Sequence, residues 1–134
     1  MSINLDNVLR RIEEKCRRSA WSRGVAQYAE DLIDGIKEAI EGGYVEMSDL
    51  ASSALVEKAM LNGAQTWEQF SWGGCSLVYD FDICERLCTP TERKKTDNGF
   101  KRPNKDEEWL DVQARALHQA AALIKKAIRD EIAG

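Results

Sequence analysis

A helical pattern of apolar and polar positions fills the C-terminal segment from Asn104 to Ala133. The segment contains no Gly or Pro and consists largely of strong helix formers. Pro103 stops any upstream helix, Asn104 can cap the first turn, and Glu107 can complete a capping box. At about 100° per residue, the apolar side chains cover more than half of the helix circumference. We therefore predict a long helix that is flanked by neighbours on both sides and lies at the centre of the fold.

Two amphipathic segments near the N-terminus predict a pair of helices. Residues Asn4–Arg18 form one apolar stripe, which includes Cys16, and we interpret this cysteine as a buried small hydrophobic residue. A second stripe follows in Arg23–Glu41, and Gly42–Gly43 is a stop signal directly after it. Because the link between the segments is short, the two helices are expected to pack as an antiparallel hairpin.

Two shorter helices are predicted in the middle of the chain. Ser48 can cap a third helix that runs to Leu61, where Asn62–Gly63 is a C-cap signal. Thr66–Trp72 is predicted as a fourth helix that begins with a capping box. Two short helices in a row are also typical of helix-turn-helix DNA readers, but Thr66–Trp72 contains no Arg or Lys, which disfavours that interpretation.

The segment after the fourth helix fits two patterns. Residues 77–83 alternate as a strand would, whereas Asp82 could cap a helix that contains Ile83. A lone strand would have no partner in this chain, so we favour an irregular turn followed by a short helix. We predict a long loop at Thr89–Pro103, which could include one turn of helix at Glu92–Lys95.

The size of the chain is sufficient for one hydrophobic core. It has 134 residues, 43% of them hydrophobic, and needs no metal or disulfide support. The predicted fold class is all-α: a compact single-domain bundle of about five helices, spanning residues 1–134, with the long C-terminal helix at its centre. No apolar run of about 18 residues could cross a membrane, and no N-terminal segment resembles a signal peptide. We therefore expect a cytoplasmic protein that makes no membrane contact and keeps its cysteines as thiols.

Charge is distributed unevenly along the chain, whose net charge is −4. Residues 48–88 contain two basic and six acidic residues, whereas residues 89–105 contain six basic and two acidic residues. The basic residues fall within 93–105, which we call the basic loop; solvated surface and contact with an anionic partner are both consistent with it. The candidate partner-binding residues are Arg93, Lys94, Lys95, Lys101, Arg102 and Lys105 in the basic loop, and Asp80, Asp82 and Glu85 beside it.

The three acidic candidates also raise the question of catalysis. Clustered carboxylates can hold Mg²⁺ or act as acid and base. More commonly they cap a helix or pair with an arginine, here Arg86 or Arg115. The chain has one histidine and lacks the nucleophile-elbow, Walker and His-Glu-x-x-His motifs. We therefore predict a protein that is not an enzyme and has no catalytic residues.

Four residues are potential zinc ligands. Their spacing matches no zinc finger or zinc ribbon, and the histidine falls on the polar side of its helix. We therefore predict no metal and no cofactor. The four residues are Cys75, Cys84, Cys88 and His118.

Aromatic residues are concentrated in one part of the chain. Five of the ten lie between residues 67 and 81, which indicates a junction in the core, a pocket, or both. Gln113 lies within the apolar stripe of the last helix, and a buried amide must find partners. It could tie the helix to the backbone near Gly73–Gly74, or it could contact a ligand. The candidate pocket residues are Trp67, Trp72, Tyr79 and Gln113.

The segments Asn62–Cys75 and Arg102–Leu117 resemble a group of small proteins carried by bacterial phages and conjugative elements. The resemblance spans most of the chain. It implies no assigned activity, so no site residue is carried over. It does imply a context, because small accessory proteins of mobile elements are often inhibitors of host defence, such as anti-CRISPR proteins.

Three functions follow as hypotheses. The first is a non-enzymatic interaction protein of a mobile element, an inhibitor of host defence that engages a host protein or ribonucleoprotein complex through the basic loop and the acidic residues beside it. The second is a binder of a small ligand or nucleotide that uses the aromatic pocket. The third is a regulator that binds nucleic acid through the basic residues 93–105.

Overall fold

The computed structural model describes residues 5–72, 81–87, 93–95, 101–103 and 106–133. Within these ranges the chain forms six α-helices, one 3₁₀-helix and a two-stranded antiparallel hairpin. In chain order they are α1 (Leu5–Ser19), α2 (Arg23–Glu41), the 3₁₀-helix (Met47–Ala51), α3 (Ser53–Leu61), α4 (Trp67–Trp72), α5 (Phe81–Leu87), β1 (Arg93–Lys95), β2 (Lys101–Pro103) and α6 (Asp106–Ala133).

Helix α6 lies at the centre of the molecule and contacts α1, α2, α3, α4 and α5. Val112, Leu117 and Ile124 are completely buried on it, and alanines between them let the neighbouring helices approach closely. The prediction of an all-α bundle with a long central C-terminal helix is confirmed. The predicted cap at Asn104 lies outside the described residues.

Helices α1 and α2 form the predicted antiparallel hairpin. Their link is short, and the Ser22 side chain caps α2 by accepting a hydrogen bond from the backbone N–H of Val25 at 3.2 Å. At the opposite end, Lys37 of α2 lies 3.0 Å from the carboxylate of Asp6 in the first turn of α1. Contact between the start of one helix and the end of the next shows that they run in opposite directions.

Helix α2 ends where the glycine pair predicted it. Gly43 adopts φ +79°, and its N–H donates to the carbonyl of Ile40 at 3.1 Å. The N–H of Tyr44 donates to the carbonyl of Ala39 at 2.9 Å. These two hydrogen bonds form a Schellman motif, which satisfies carbonyls at the end of the helix and requires a residue with a left-handed backbone.

The predicted third helix is divided in two, and the prediction that Ser48 caps it is wrong. The N-cap of the 3₁₀-helix is Glu46, which has an extended backbone and donates its N–H to the Asp49 carboxylate at 2.9 Å. The 3₁₀-helix therefore begins before Ser48. The helical conformation is interrupted at Ser52. The Oγ of Ser52 accepts a hydrogen bond from the N–H of Leu55 at 3.3 Å and caps α3. Helix α3 ends at the predicted C-cap signal, because Asn62 adopts a left-handed backbone with φ 48°.

The short helices α4 and α5 agree with the sequence analysis. The Thr66 side chain accepts from the N–H of Gln69 at 3.1 Å and caps α4. Gln69 in turn accepts from the N–H of Gln65 at 2.8 Å, one residue earlier than a standard capping box. The predicted short helix is confirmed by α5, on which Ile83 is buried, but α5 begins at Phe81, so Asp82 lies in its first turn and does not cap it.

The turn of helix predicted at Glu92–Lys95 is wrong, because Arg93–Lys95 forms strand β1. Its partner is β2, in the same segment that the sequence indicated as a loop. Lys and Arg are poor indicators of strands, so the hairpin is recognised from the backbone pairing of the two segments. Among the described helices none is long and apolar enough to span a membrane.

Candidate anion-binding hairpin

Six residues of the predicted basic loop form the two antiparallel strands of the hairpin. The register places Arg93 opposite Pro103, Lys94 opposite Arg102, and Lys95 opposite Lys101. Five of the six strand residues are therefore basic, and two of the three cross-strand pairs join like charges. Lys105, the remaining basic candidate, lies outside the described residues.

Helix α5 connects this hairpin to the helical core. Strand β2 packs against both α5 and α6. The Arg115 guanidinium on α6 donates to the carbonyl of Leu87, the last residue of α5, at 2.8 Å. The Arg86 guanidinium lies 4.8 Å from the ring centroid of Trp21, which ties α5 to the α1–α2 link. With Ile83 buried beneath it, α5 provides a fixed support for β2.

Two of the three acidic candidates lie on α5, the helix that contacts β2. Asp82 is exposed on α5, and Glu85 occupies a position one turn further along the same helix. Asp80 lies outside the described residues. Because β2 contacts α5, the structure brings the basic strands next to the helix that carries Asp82 and Glu85.

Trp67 is a structural link between three helices. Its indole N–H donates to the Glu57 carboxylate of α3 at 2.9 Å, and its ring meets the edge of Phe70 at 5.8 Å between centroids. The same carboxylate lies 3.4 Å from the Lys125 ammonium of α6. Ser71, also on α4, donates to the carbonyl of Leu110 at 2.9 Å. Trp67 is thus 8% exposed and fixed by packing.

Of the other three predicted pocket residues, Gln113 has a described side chain, whereas the side chains of Trp72 and Tyr79 lie outside the described parts of the structure. Gln113 is 1% exposed within α6. Trp72 is the last residue of α4, and Tyr79 lies outside the described residues, as does the Gly73–Gly74 backbone to which Gln113 was predicted to bind.

A cleft of about 460 Å³ lies between α4, α5 and α6. Trp67 and the acidic Glu68 of α4 form part of its wall, and α6 contributes the polar residues Arg115, His118 and Gln119. These three residues were not predicted as pocket residues. Their spacing of three and four positions along one helix is the signal that could have grouped them.

The described residues also bear on metal binding and thiol reactivity. Within the described parts of the chain, no group of three His, Cys, Asp or Glu side chains could hold a metal ion. Cys75 and Cys88 lie outside those parts. Cys16 is buried in the core, and burial, assisted by the nearby charge of Glu13, raises the pKa of its thiol to about 11. Cys16 therefore stays protonated at neutral pH and is a poor nucleophile.

The fold and the site together define a small helical protein that carries a basic hairpin packed against α5 and α6. In comparisons with protein families, curated proteins and solved structures, nothing matches this chain.

Proposed function

We propose that this protein is a non-enzymatic interaction protein whose basic hairpin binds the phosphate backbone of a nucleic acid. The observation that carries the proposal is the strand register, which sets Lys94 against Arg102 and Lys95 against Lys101. Like charges at directly opposed positions destabilise a sheet, and two-stranded hairpins are only marginally stable. A bound polyanion neutralises this repulsion. The pairing of like charges therefore destabilises the free hairpin and favours the hairpin that is bound to a polyanion.

The charge density of the hairpin suits a nucleic acid. A three-residue strand spans roughly 7 Å between its first and last residues, and paired strands lie about 4.8 Å apart. Over the same length of axis, duplex DNA carries about four phosphates. Within this area the register places Arg93, Lys95 and Lys101 on one face of the hairpin and Lys94 and Arg102 on the other.

The remainder of the chain directs how a polyanion approaches. Residues 89–105 sum to +4 in a chain of net charge −4, so all other residues together carry −8. The net negative charge of the remaining residues disfavours phosphate contact with them on average, and among the helices α1 differs in carrying five basic and three acidic residues. Binding through one end is therefore expected, with the helical body facing away from the nucleic acid.

The same surface suits a host ribonucleoprotein complex, which presents RNA phosphates together with protein. We extend the proposal to an anti-defence protein of a mobile element that binds such a complex. In that case the exposed Asp82 of α5, the helix beside β2, would face basic protein side chains of the complex.

Fluorescence anisotropy with labelled single-stranded and duplex DNA and RNA, measured over a series of salt concentrations, tests the proposal. If all five strand cations contact phosphate, the logarithm of the association constant falls with the logarithm of salt concentration with a slope of about −3.5 on single strands and about −4.5 on duplex DNA. The Lys95→Gln/Lys101→Gln variant should make the slope shallower by about 2.

A matched control removes the same charge elsewhere. Lys126 and Arg129 are exposed near the C-terminal end of α6, and Lys126→Gln/Arg129→Gln should leave the slope unchanged. An absence of binding at low ionic strength, or equal losses in the two double variants, would refute the proposal.

A second candidate function is binding of a small anionic ligand, which is favoured by the cleft between α4, α5 and α6. Its volume of about 460 Å³ lies within the range of ligand pockets, and Arg115 and His118 supply polar contacts. Thermal-shift measurements with nucleotides test it: a ligand at 100 times its dissociation constant adds about 2.7 kcal/mol to stability. The stabilisation should disappear in His118→Ala, and no response to any nucleotide would refute it.

A further inference from the structure

A groove of about 870 Å³ lies between the C-terminal half of α2 and α3, on elements that do not form the hairpin site. Its apolar wall includes Ala39, Tyr44, Leu55 and Ala59, and its acidic groups include Glu38 and Asp49. We call it the Tyr44 groove. Its volume suits a few side chains of a partner.

Tyr44 is held in place without being buried. The Schellman motif fixes its backbone, and its ring lies so close to Gly42 that a Cβ on that glycine would be 2.9 Å from Cε2 of Tyr44. Yet the side chain is 86% exposed. A large aromatic ring that is positioned by the backbone and left in water loses little conformational entropy on binding, which is the property of an interface anchor.

Leu55 of α3 provides a second exposed apolar contact in the same groove. It is 37% exposed, and the described part of the chain has one other exposed large hydrophobic residue, Ile132, at 58%. Ile132 lies at the end of α6 and does not line the groove. Two of the three exposed large hydrophobic residues are thus gathered at one surface.

The charge of the groove determines which partner it suits. Glu38, Asp49 and Glu57 line it, against one cation, Lys58. Glu57 already pairs with Lys125. Glu38 is exposed and forms no ion pair with any residue in the described ranges. The groove therefore presents apolar surface with uncompensated negative charge at its edge.

We propose that the Tyr44 groove binds a cationic amphipathic segment of a partner protein. An apolar side chain of the segment packs between Tyr44 and Leu55, and its lysines or arginines face Glu38 and Asp49. This is the helix-in-groove mode of recognition, in which apolar anchors give affinity and flanking charges give orientation. It is independent of the hairpin, so the protein can join a nucleic acid and a basic protein segment.

The test uses two synthetic helical peptides that differ only in charge, one built from Leu and Lys and the other from Leu and Glu. Each is titrated into ¹⁵N-labelled protein while chemical shifts are recorded. The Leu/Lys peptide should bind saturably and shift the amides of residues 44 and 55 most. The Leu/Glu peptide should produce no saturable shift.

Three variants localise the binding. Tyr44→Ala should weaken the Leu/Lys peptide about tenfold, as expected for loss of an aromatic anchor. Glu38→Lys should weaken it about threefold or more. Ile132→Ala, which removes exposed apolar surface outside the groove, should leave affinity unchanged. Since Tyr44 and Glu38 are exposed, all three variants should retain the wild-type melting temperature.

Three results would overturn the proposal. The first is equal binding of both peptides, and the second is an equal loss of affinity in the Ile132 and Tyr44 variants. The third is a concentration-dependent shift of residues 44 and 55 in protein without peptide, which would make a second copy of the chain the occupant.

Discussion

The register of the hairpin makes a specific prediction about Lys101. Lys101 is paired with Lys95, so Lys101→Glu converts a like-charged pair into an oppositely charged one. An opposed ion pair contributes roughly 0.2–1 kcal/mol, and a like-charged pair is destabilising by a comparable amount. The substitution therefore stabilises the hairpin by about 0.4–2 kcal/mol, which corresponds to a two- to thirtyfold lower population of the open hairpin, since about 1.4 kcal/mol is a factor of ten.

Amide hydrogen exchange measured by NMR tests this prediction residue by residue. Exchange of the hydrogen-bonded amides in β1 and β2 should slow by the stated factor in Lys101→Glu, while exchange in α1 should not change. Raising the salt concentration should slow exchange in the wild-type hairpin, because salt screens the like charges, and should have a smaller effect in the variant, which retains one like-charged pair, Lys94 with Arg102.

A control variant and a binding measurement distinguish the effect of the cross-strand pair from the effect of net charge. Lys126→Glu changes the net charge equally at an exposed position of α6 and should leave hairpin exchange unchanged. Lys101→Glu should also weaken nucleic-acid binding even though it stabilises the hairpin. Faster or unchanged exchange in β1 and β2 of this variant would refute the argument from register.

Three further predictions concern the fold. Leu117→Ala, at a completely buried position of α6, should lower the free energy of unfolding by about 2–5 kcal/mol in urea titrations followed by circular dichroism. Gly43→Ala should cost about 1–2 kcal/mol in the same assay, because a Cβ is unfavourable at φ +79°. Glu131 accepts hydrogen bonds from Lys15 and Arg11, and these lower the pKa of its carboxyl below the ordinary 4.5. The contribution of Glu131 to folding stability is therefore present above pH 4.5 and is lost as pH falls through the folded-state pKa. The difference in melting temperature between wild type and Glu131→Gln should accordingly shrink on acidification.

Matched variants make these predictions discriminating. Leu123→Ala changes the same side chain on the same helix at a partly buried position, and a loss as large as that of Leu117→Ala would contradict the central position of α6. A Cβ at Gly35, within α2, meets no atom within 4 Å, so Gly35→Ala should stabilise the protein by about 0.5–1 kcal/mol. Destabilisation there, or a pH-independent effect of Glu131→Gln, would contradict the contacts described.

The sequence predicted those elements whose signals are local. The bounds of α2 follow from a serine cap and a glycine pair, which are properties of neighbouring residues. The start of α3 could not be decided in this way, since Ser48 and Ser52 are equally able to cap a helix. Which serine caps the helix depends on the hydrogen bond from the Glu46 N–H to the Asp49 carboxylate. That hydrogen bond forms only in the folded backbone.

The sites divide in the same way. The basic charge of residues 93–105 is visible in composition, but lysine and arginine are weak strand formers, so composition does not predict the pairing of Lys94 with Arg102. Trp67 was predicted as a pocket residue because aromatic residues crowd around it. Its indole N–H reaches Glu57, ten residues earlier, and that contact depends on how α3 and α4 pack.

The salt dependence of nucleic-acid binding by wild type and Lys95→Gln/Lys101→Gln is the most direct test of the central proposal. The paired basic strands predict a steep dependence that becomes shallower by about 2 when this cross-strand pair is removed. An identical slope in the two proteins, or no binding at low salt, would show that the hairpin does not contact phosphate.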